Sequence, residues 1–161
     1  MTRLWIAAAL AFALDQITKL WIVWGLNLIE VGRIDVAPPY LVFKMAWNRG
    51  INFGLLDGNS DLSRWALVLL AVAISVFVVT WIRREDATPR AEIAAGLIVG
   101  GALGNALDRA IHGAVADFLN MSCCGIYNPY SFNVADIFIF AGAFGLILFT
   151  GKPRDDARDT G

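Results

Sequence analysis

The stretch YSFNVADIFIFAGAFGLILFTG, residues 130–151, decides how this chain folds. It is an almost unbroken apolar run with a single carboxylate, Asp136, near its head and Asn133 three residues earlier. A spanning α-helix needs roughly 20 mostly apolar residues, so the run predicts a membrane helix from Phe132 to Thr150. Upstream, GAVADFLN (residues 113–120) repeats the local pattern, with Asp117 following Val115-Ala116 as Asp136 follows Val134-Ala135. Two carboxylates in such apolar settings need a physical reason, because an unpaired charge out of water is costly.

The whole chain shares this character. Its 161 residues are 58% hydrophobic and 17% charged, and the mean hydropathy is +0.61, the composition of a membrane protein with room for one domain over residues 1–161. The 13 basic and 14 acidic residues leave a formal net charge of -1, so there is no cationic field to attract nucleic acid. Three further stretches reach spanning length: Leu4 to Leu26, Trp65 to Ile82 and Ala91 to Leu107. The first has the look of a cleaved leader, with Arg3 before an apolar run that ends in Ala11-Phe12-Ala13. The sequence then resumes as LWIVWGL, however, and makes a full span once Asp15 and Lys19 are accommodated; four residues apart on one helical face, they offset each other.

The charged segment RREDATPRAE follows the second span and GKPRDDARDTG follows the fourth. With Arg3, these hold Arg83, Arg84, Arg90, Lys152, Arg154 and Arg158, so the positive-inside rule puts both termini in the cytoplasm. Trp5, Trp21, Trp24, Trp65 and Trp81 cluster near span ends, as interfacial anchors do. Gly96, Gly100 and Gly104 make a small face on the third span, read as a helix-packing surface. The loop from Asn27 to Arg64 is too long to be structureless, and IDVAPPYLVFKMAWN followed by NRGINFGLLDGN predicts short strands with glycine turns at the membrane surface. The expected fold is therefore an all-α membrane protein of four transmembrane helices with a small β-containing cradle on the outer face.

With four crossings, the first and third loops share one side. Asn48, Asn105, Asp108, Arg109, Asp117, Asn133 and Asp136 then converge on one membrane face. Asp136, about four residues into its span, is expected roughly 6 Å below the helix entrance, and Asp117 lies in a segment apolar enough to dip toward the membrane. Two acids in such a medium would share a proton, one holding it while the other stays charged. Such a pair can activate a water and protonate a leaving amine, as in aspartic proteases. Helix capping, or pairing with Arg109, is the alternative reading of both acids. Asp108 beside Arg109, with Asn105 one turn earlier, reads either as a helix-end ion pair with its cap or as a substrate anchor.

His112, the single histidine, sits past a helix end and reads as structural. One histidine leaves no Ser-His-Asp triad or HExxH zinc helix, and no phosphate loop or G-x-S-x-G motif occurs. No metal or cofactor is expected. The adjacent Cys123 and Cys124 suit neither a disulfide framework nor a zinc site and read as ordinary small apolar residues.

In order and spacing, DQITK (15–19), NRGINFG (48–54), GGALGNALDR (100–109), GAVADF (113–118) and FNVAD (132–136) resemble the motifs of the lipoprotein signal peptidases, or signal peptidases II. The resemblance implies a multi-pass aspartic endopeptidase of the bacterial inner membrane, with its site near the outer, periplasmic face. It would remove the signal peptide from diacylglyceryl-modified prolipoproteins, before the lipidated lipobox cysteine. The catalytic pair carries over onto Asp117 and Asp136. Asn48, Gly50, Asn105, Arg109 and Asn133 match positions that line the site, and Asp15, Lys19 and Asp108 match supporting positions. Membrane lipids and prolipoproteins are the implied partners, and the enzyme is expected to act as a monomer. Asn52 departs from the family's usual alanine, and MSCCGIYNPY (121–130) replaces a tryptophan-rich stretch. A proton-coupled transporter would instead distribute its acids through the membrane between broken helices, and a tetraspan scaffold would not need them. Reporter domains fused after Arg84 and at the C-terminus are expected to report cytoplasm, and one near Gly58 the outer side; a cytoplasmic signal at Gly58 inverts the topology.

Overall fold

In the computed structural model, which describes residues 1–50, 61–85 and 87–150, one helix is wrapped by the others. The elements are α1 (Thr2–Lys19), continued by a π-helical segment (Leu20–Gly25), α2 (Leu28–Val31), β1 (Arg33–Ala37), β2 (Leu41–Asn48), α3 (Asp61–Arg84), α4 (Pro89–His112), β3 (Val115–Asn120) and α5 (Val134–Phe149). Asn52, Gly58 and the basic residues Lys152, Arg154 and Arg158 lie outside the described residues.

Helix α4 is the centre, touching α1, α3 and α5. Its start is fixed by the Thr88 side chain, which accepts from Ala91 N at 3.2 Å, and by Pro89 at the first helical position. It ends at Gly113, whose φ of 76° is the left-handed conformation that glycine adopts without strain. The small faces serve close packing, as read from the sequence. A Cβ on Gly96 or Gly100 would strike the carbonyl oxygens of Leu4 and Ala8, and one on Gly101 would lie 2.6 Å from the Ala135 carbonyl. Gly142 of α5 returns the contact, 2.5 Å from Ala94 O by the same construction.

Two stretches, Thr2–Gly25 and Asp61–Arg84, are long and apolar enough to cross a membrane. Helix α5 is apolar but has 16 residues. Helix α4 has 24 residues, with Asn105, Asp108 and Arg109 near its C-terminal end. Leu69, Phe77, Phe140 and Ile147 are exposed on α3 and α5, a surface suited to lipid and poorly suited to water.

The sheet has the order β1-β2-β3, antiparallel throughout, with Ala46 opposite Asp117 and Asn48 opposite Val115. The first outer loop supplies β1 and β2, as expected. The third strand is a correction: Val115–Asn120, read as part of the loop between two spans, is a strand that completes the sheet. Its continuous apolar character has a different cause, burial on both faces: Ala116 and Phe118 pack with Ile22, Val23 and Leu28, and Val115 and Asp117 are also nearly inaccessible.

The cysteines are a second correction. Cys123 and Cys124 are exposed and joined to each other in a turn where Cys124 has φ 57°. The turn is closed by reciprocal backbone hydrogen bonds between Cys123 and Ile126.

Because a methyl group on Gly100 would meet backbone at Ala8 and the Ala11 Cβ at 2.8 Å, Gly100→Ala should destabilise the fold by about 1–3 kcal/mol, the usual cost of overpacking. Thermal unfolding in detergent or lipid checks this.

Candidate active site

Five elements deliver the polar side chains to one place. Asn133 begins α5 with a capping box: its side chain accepts from Asp136 N at 3.0 Å, and Asp136 Oδ2 accepts from Asn133 N at 3.2 Å. Asp136 therefore lies in the first turn of α5, nearer the helix entrance than the sequence suggested, because Asn133 is extended and not helical. Asp136 does cap the helix, and its Oδ1 remains free to accept from Asn105 Nδ2 at 2.9 Å.

Asp117, in β3 opposite Ala46, is 3% exposed. Its Oδ1 accepts from Asn133 Nδ2 at 2.7 Å and its Oδ2 from Asn48 Nδ2 at 3.1 Å. Asn48 is itself aimed by Gly50, whose backbone N donates to Asn48 Oδ1 at 3.0 Å. Gly50 has φ 100°, and a Cβ there would lie 2.5 Å from Leu67 Cδ1. Neutral amides thus bridge the two carboxyls: Asn133 Nδ2 also donates to Asn105 Oδ1 at 3.1 Å.

Behind the amides lies a buried charge cluster. Lys19 Nζ is 2.8 Å from Asp15 Oδ2 and 2.8 Å from Asp108 Oδ2. Asp15 Oδ1 accepts from Ala135 N at 3.0 Å, and a Cβ on Gly104 would sit 2.5 Å from Asp15 Oδ2. The expected Asp15–Lys19 pair is present, but the expected Asp108–Arg109 pair is not. Asp108 faces inward to Lys19 and accepts from Ala116 N at 3.2 Å, since consecutive helical residues point about 100° apart. Arg109 donates to Asn105 O at 3.5 Å, and its buried Nε has no hydrogen-bond partner. Its guanidinium is within electrostatic reach of Asp117, Asp136 and Asp108, yet no ion pair joins it to them among the described residues.

Sequence reasoning missed Gln16, which donates to Asp15 Oδ2 at 3.0 Å and Asp108 Oδ1 at 3.3 Å. Its place between Asp15 and Lys19 was the available signal. His112, expected past a helix end, is the last residue of α4 and exposed, its ring 5.4 Å from Trp24 and 5.6 Å from Trp47. Beside Asp136, an open apolar groove of about 630 Å³ is lined by Phe132, Ile137, Phe140 and Ala141. No group of His, Cys, Asp or Glu that could hold a metal ion occurs among the described residues.

Burial, and then the negative charge of Asp136, push the Asp117 carboxyl up to about 6, against the hydrogen bonds from Asn48 and Asn133 and the charge of Lys19. A buried and a half-buried carboxyl bridged by amides, the buried one with a raised proton affinity, can exchange protons with a bound water and a leaving group. The fold and this site define an acid-base hydrolase seated among apolar helices.

Comparison with known proteins agrees. Residues 7–151 match the family Signal peptidase (SPase) II. The chain is 43% identical over 155 residues to the lipoprotein signal peptidase of Methylorubrum extorquens (strain PA1), covering 96% of this chain and 89% of that one. It is 45% identical over 149 residues to that of Methylobacterium radiotolerans, covering 92% and 85%. Two solved structures of a bacterial membrane enzyme, determined by the in meso method at 2.3 and 1.9 Å resolution, superpose with TM-scores of 0.71 and 0.74. Each is 27% identical and covers 89% of this chain, with 84% and 88% of the solved chains covered. The chain belongs to the signal peptidase II family, the aspartic proteases of bacterial membranes that process lipoproteins.

The raised proton affinity of Asp117 has a sign that can be checked. Between its ordinary 3.8 and about 6, the folded protein holds a proton that the unfolded chain has released, so this group's contribution to stability falls as pH rises through that window. Asp117→Asn should remove that slope. Carboxyl ¹³C NMR of Asp117 should titrate near 6 and move to higher pH in Asn48→Ala, which loses a bond to the ionised form.

Proposed function

We propose that the chain cleaves diacylglyceryl-modified prolipoproteins immediately before the lipidated cysteine, using Asp117 and Asp136 as a catalytic pair. The observation that carries this reading is the amide-bridged pair itself: Asn133 donates to Asp117 Oδ1 at 2.7 Å and caps the helix turn that holds Asp136. Asp117 keeps the shared proton, in line with its raised proton affinity. Asp136, supplied with donors from Asn105 and the Asn133 backbone, takes a proton from the attacking water. Asp117 donates to the scissile carbonyl oxygen as the water oxygen adds to its carbon; on collapse the C–N bond breaks, Asp136 passes the proton from water to the leaving amine, and the hydroxyl formed from the carbonyl returns its proton to Asp117. Activity in kcat/KM then falls on the alkaline side as free Asp117 ionises.

Asn48 and Arg109, at the rim of the pair, hold the substrate backbone. The unpartnered Nε of Arg109 favours this role, since a buried donor left without an acceptor is costly. The four long helices cross the inner membrane with both termini in the cytoplasm and the sheet on the outer face, and the enzyme works as a monomer in contact with lipid. The apolar groove beside Asp136 suits apolar chains at the depth of the scissile bond. Each CH2 buried contributes about 0.8 kcal/mol, so lipidation sets both affinity and depth.

Purified enzyme in lipid should cleave a diacylated lipobox peptide before its cysteine and leave the unmodified peptide essentially uncut. Asp117→Asn and Asp136→Asn should each lower the rate by at least the 10²–10⁴-fold typical of acid-base groups, with membrane abundance unchanged. Comparable cleavage of both peptides, or an active Asn variant, rejects the assignment.

A further inference from the structure

The proposed mechanism leaves the ammonium of Lys19 without a part. This group, 2% exposed, ends α1 where the backbone changes from α to π geometry. Its donors go to Asp15 Oδ2 at 2.8 Å, Asp108 Oδ2 at 2.8 Å and Asn105 Oδ1 at 3.2 Å. Two carboxylates already outweigh its single charge, so neutralisation does not require the contact with Asn105. An ammonium can only donate, and only the oxygen of the Asn105 amide can face it. The Asn105 NH2 is thereby turned to Asp136 Oδ1, 2.9 Å away.

The second amide is fixed from the other end. Asp136 N, also a pure donor, claims Asn133 Oδ1 at 3.0 Å. The Asn133 NH2 must then supply Asp117 Oδ1 and Asn105 Oδ1. The Asn105 oxygen is held by two donors, one of them charged, and charge-assisted hydrogen bonds are roughly twice as strong as neutral ones.

We propose that Lys19 is a positioning residue for the catalytic pair: its ammonium holds the Asn105 amide in the one orientation that donates to Asp136, and so keeps both carboxyls in register to share a proton. The inference rests on the catalytic reading of Asp117 and Asp136. The charge of Lys19 also reaches Asp117, where it favours the ionised form. The charged and polar groups facing Lys19 and the pair are Asp15 and Gln16 from α1, Asn48 from β2, Asn105, Asp108 and Arg109 from α4, and Asn133 at the start of α5.

Lys19→Met keeps the apolar stem and removes both donors and charge, whereas Lys19→Arg keeps both. Each is assayed in lipid with the diacylated lipobox peptide across pH. Lys19→Met should lose kcat by roughly 10²-fold, the cost of about 1 Å of misplacement, with KM little changed. The alkaline limb of kcat/KM should move to higher pH, because Asp117 loses a nearby positive charge, and Lys19→Arg should recover much of both. A merely structural role would lower the yield of folded enzyme but leave kcat per active site and the limb where they are, and that result overturns the proposal. If Lys19→Met does not accumulate, Asp15→Asn/Lys19→Met removes one of the two stranded charges while keeping an oxygen for Ala135 N, and the same two outcomes decide. Asp117→Asn run in parallel separates the failures: if it is active, the catalytic pair is wrong, whereas if it is inactive and the limb of the Lys19 variant is unmoved, only the positioning role is wrong.

Discussion

The close approach of α1 to α4 is the constraint on which the rest depends. Gly96 and Gly100 let the α4 backbone rest on the carbonyls of Leu4 and Ala8, and Gly104 continues the contact to the Asp15 carboxylate. Any side chain along this line would push α1 outward. Asp15 would then lose the Ala135 N–H that ties α1 to the first turn of α5, and with it the spacing between that turn and α4. The glycine line is thus a packing feature at its inner end and a site-building feature at its outer end.

A polar cluster can sit among apolar helices because Lys19 touches both of its carboxylates and their lone pairs are used. Asp15, Lys19 and Asp108 are all nearly inaccessible, and each carboxylate oxygen of Asp15 and Asp108 has a donor. A buried ion pair with a missing partner would be strongly destabilising. The sheet contributes in the same way: β2 brings Asn48 to β3, and the ladder holds Asp117 against it. At Asp117 burial is not fully offset, and its proton affinity rises.

Much of this was legible in the sequence. The apolar runs at 4–26, 65–82, 91–107 and 132–150 each coincide with a helix, though α3 and α4 extend further, to Asp61–Arg84 and Pro89–His112, because charged ends give no hydropathic signal while caps such as Thr88 do. Asp117 and Asp136 stood out because a lone acid in an apolar run must have a use. The strand at Val115–Asn120 did not, since a segment buried on both faces shows no alternation to read. Nor did the partner of Asp108: adjacency suggested Arg109, but only the packing of α1 on α4 brings Lys19 across. The exposed turn at Cys123-Cys124 was also illegible, being shaped by backbone bonds between Cys123 and Ile126.

The acids are touched by amides, and the buried ammonium of Lys19 stands one hydrogen bond further back. Mobile ions screen exposed charges efficiently but buried pairs much less, and a dipole in contact with its acceptor hardly at all. The amide contacts that hold Asp117 and Asp136 are therefore only weakly sensitive to the ionic strength of the medium, and the arrangement of the two carboxyls should change little between dilute and concentrated salt.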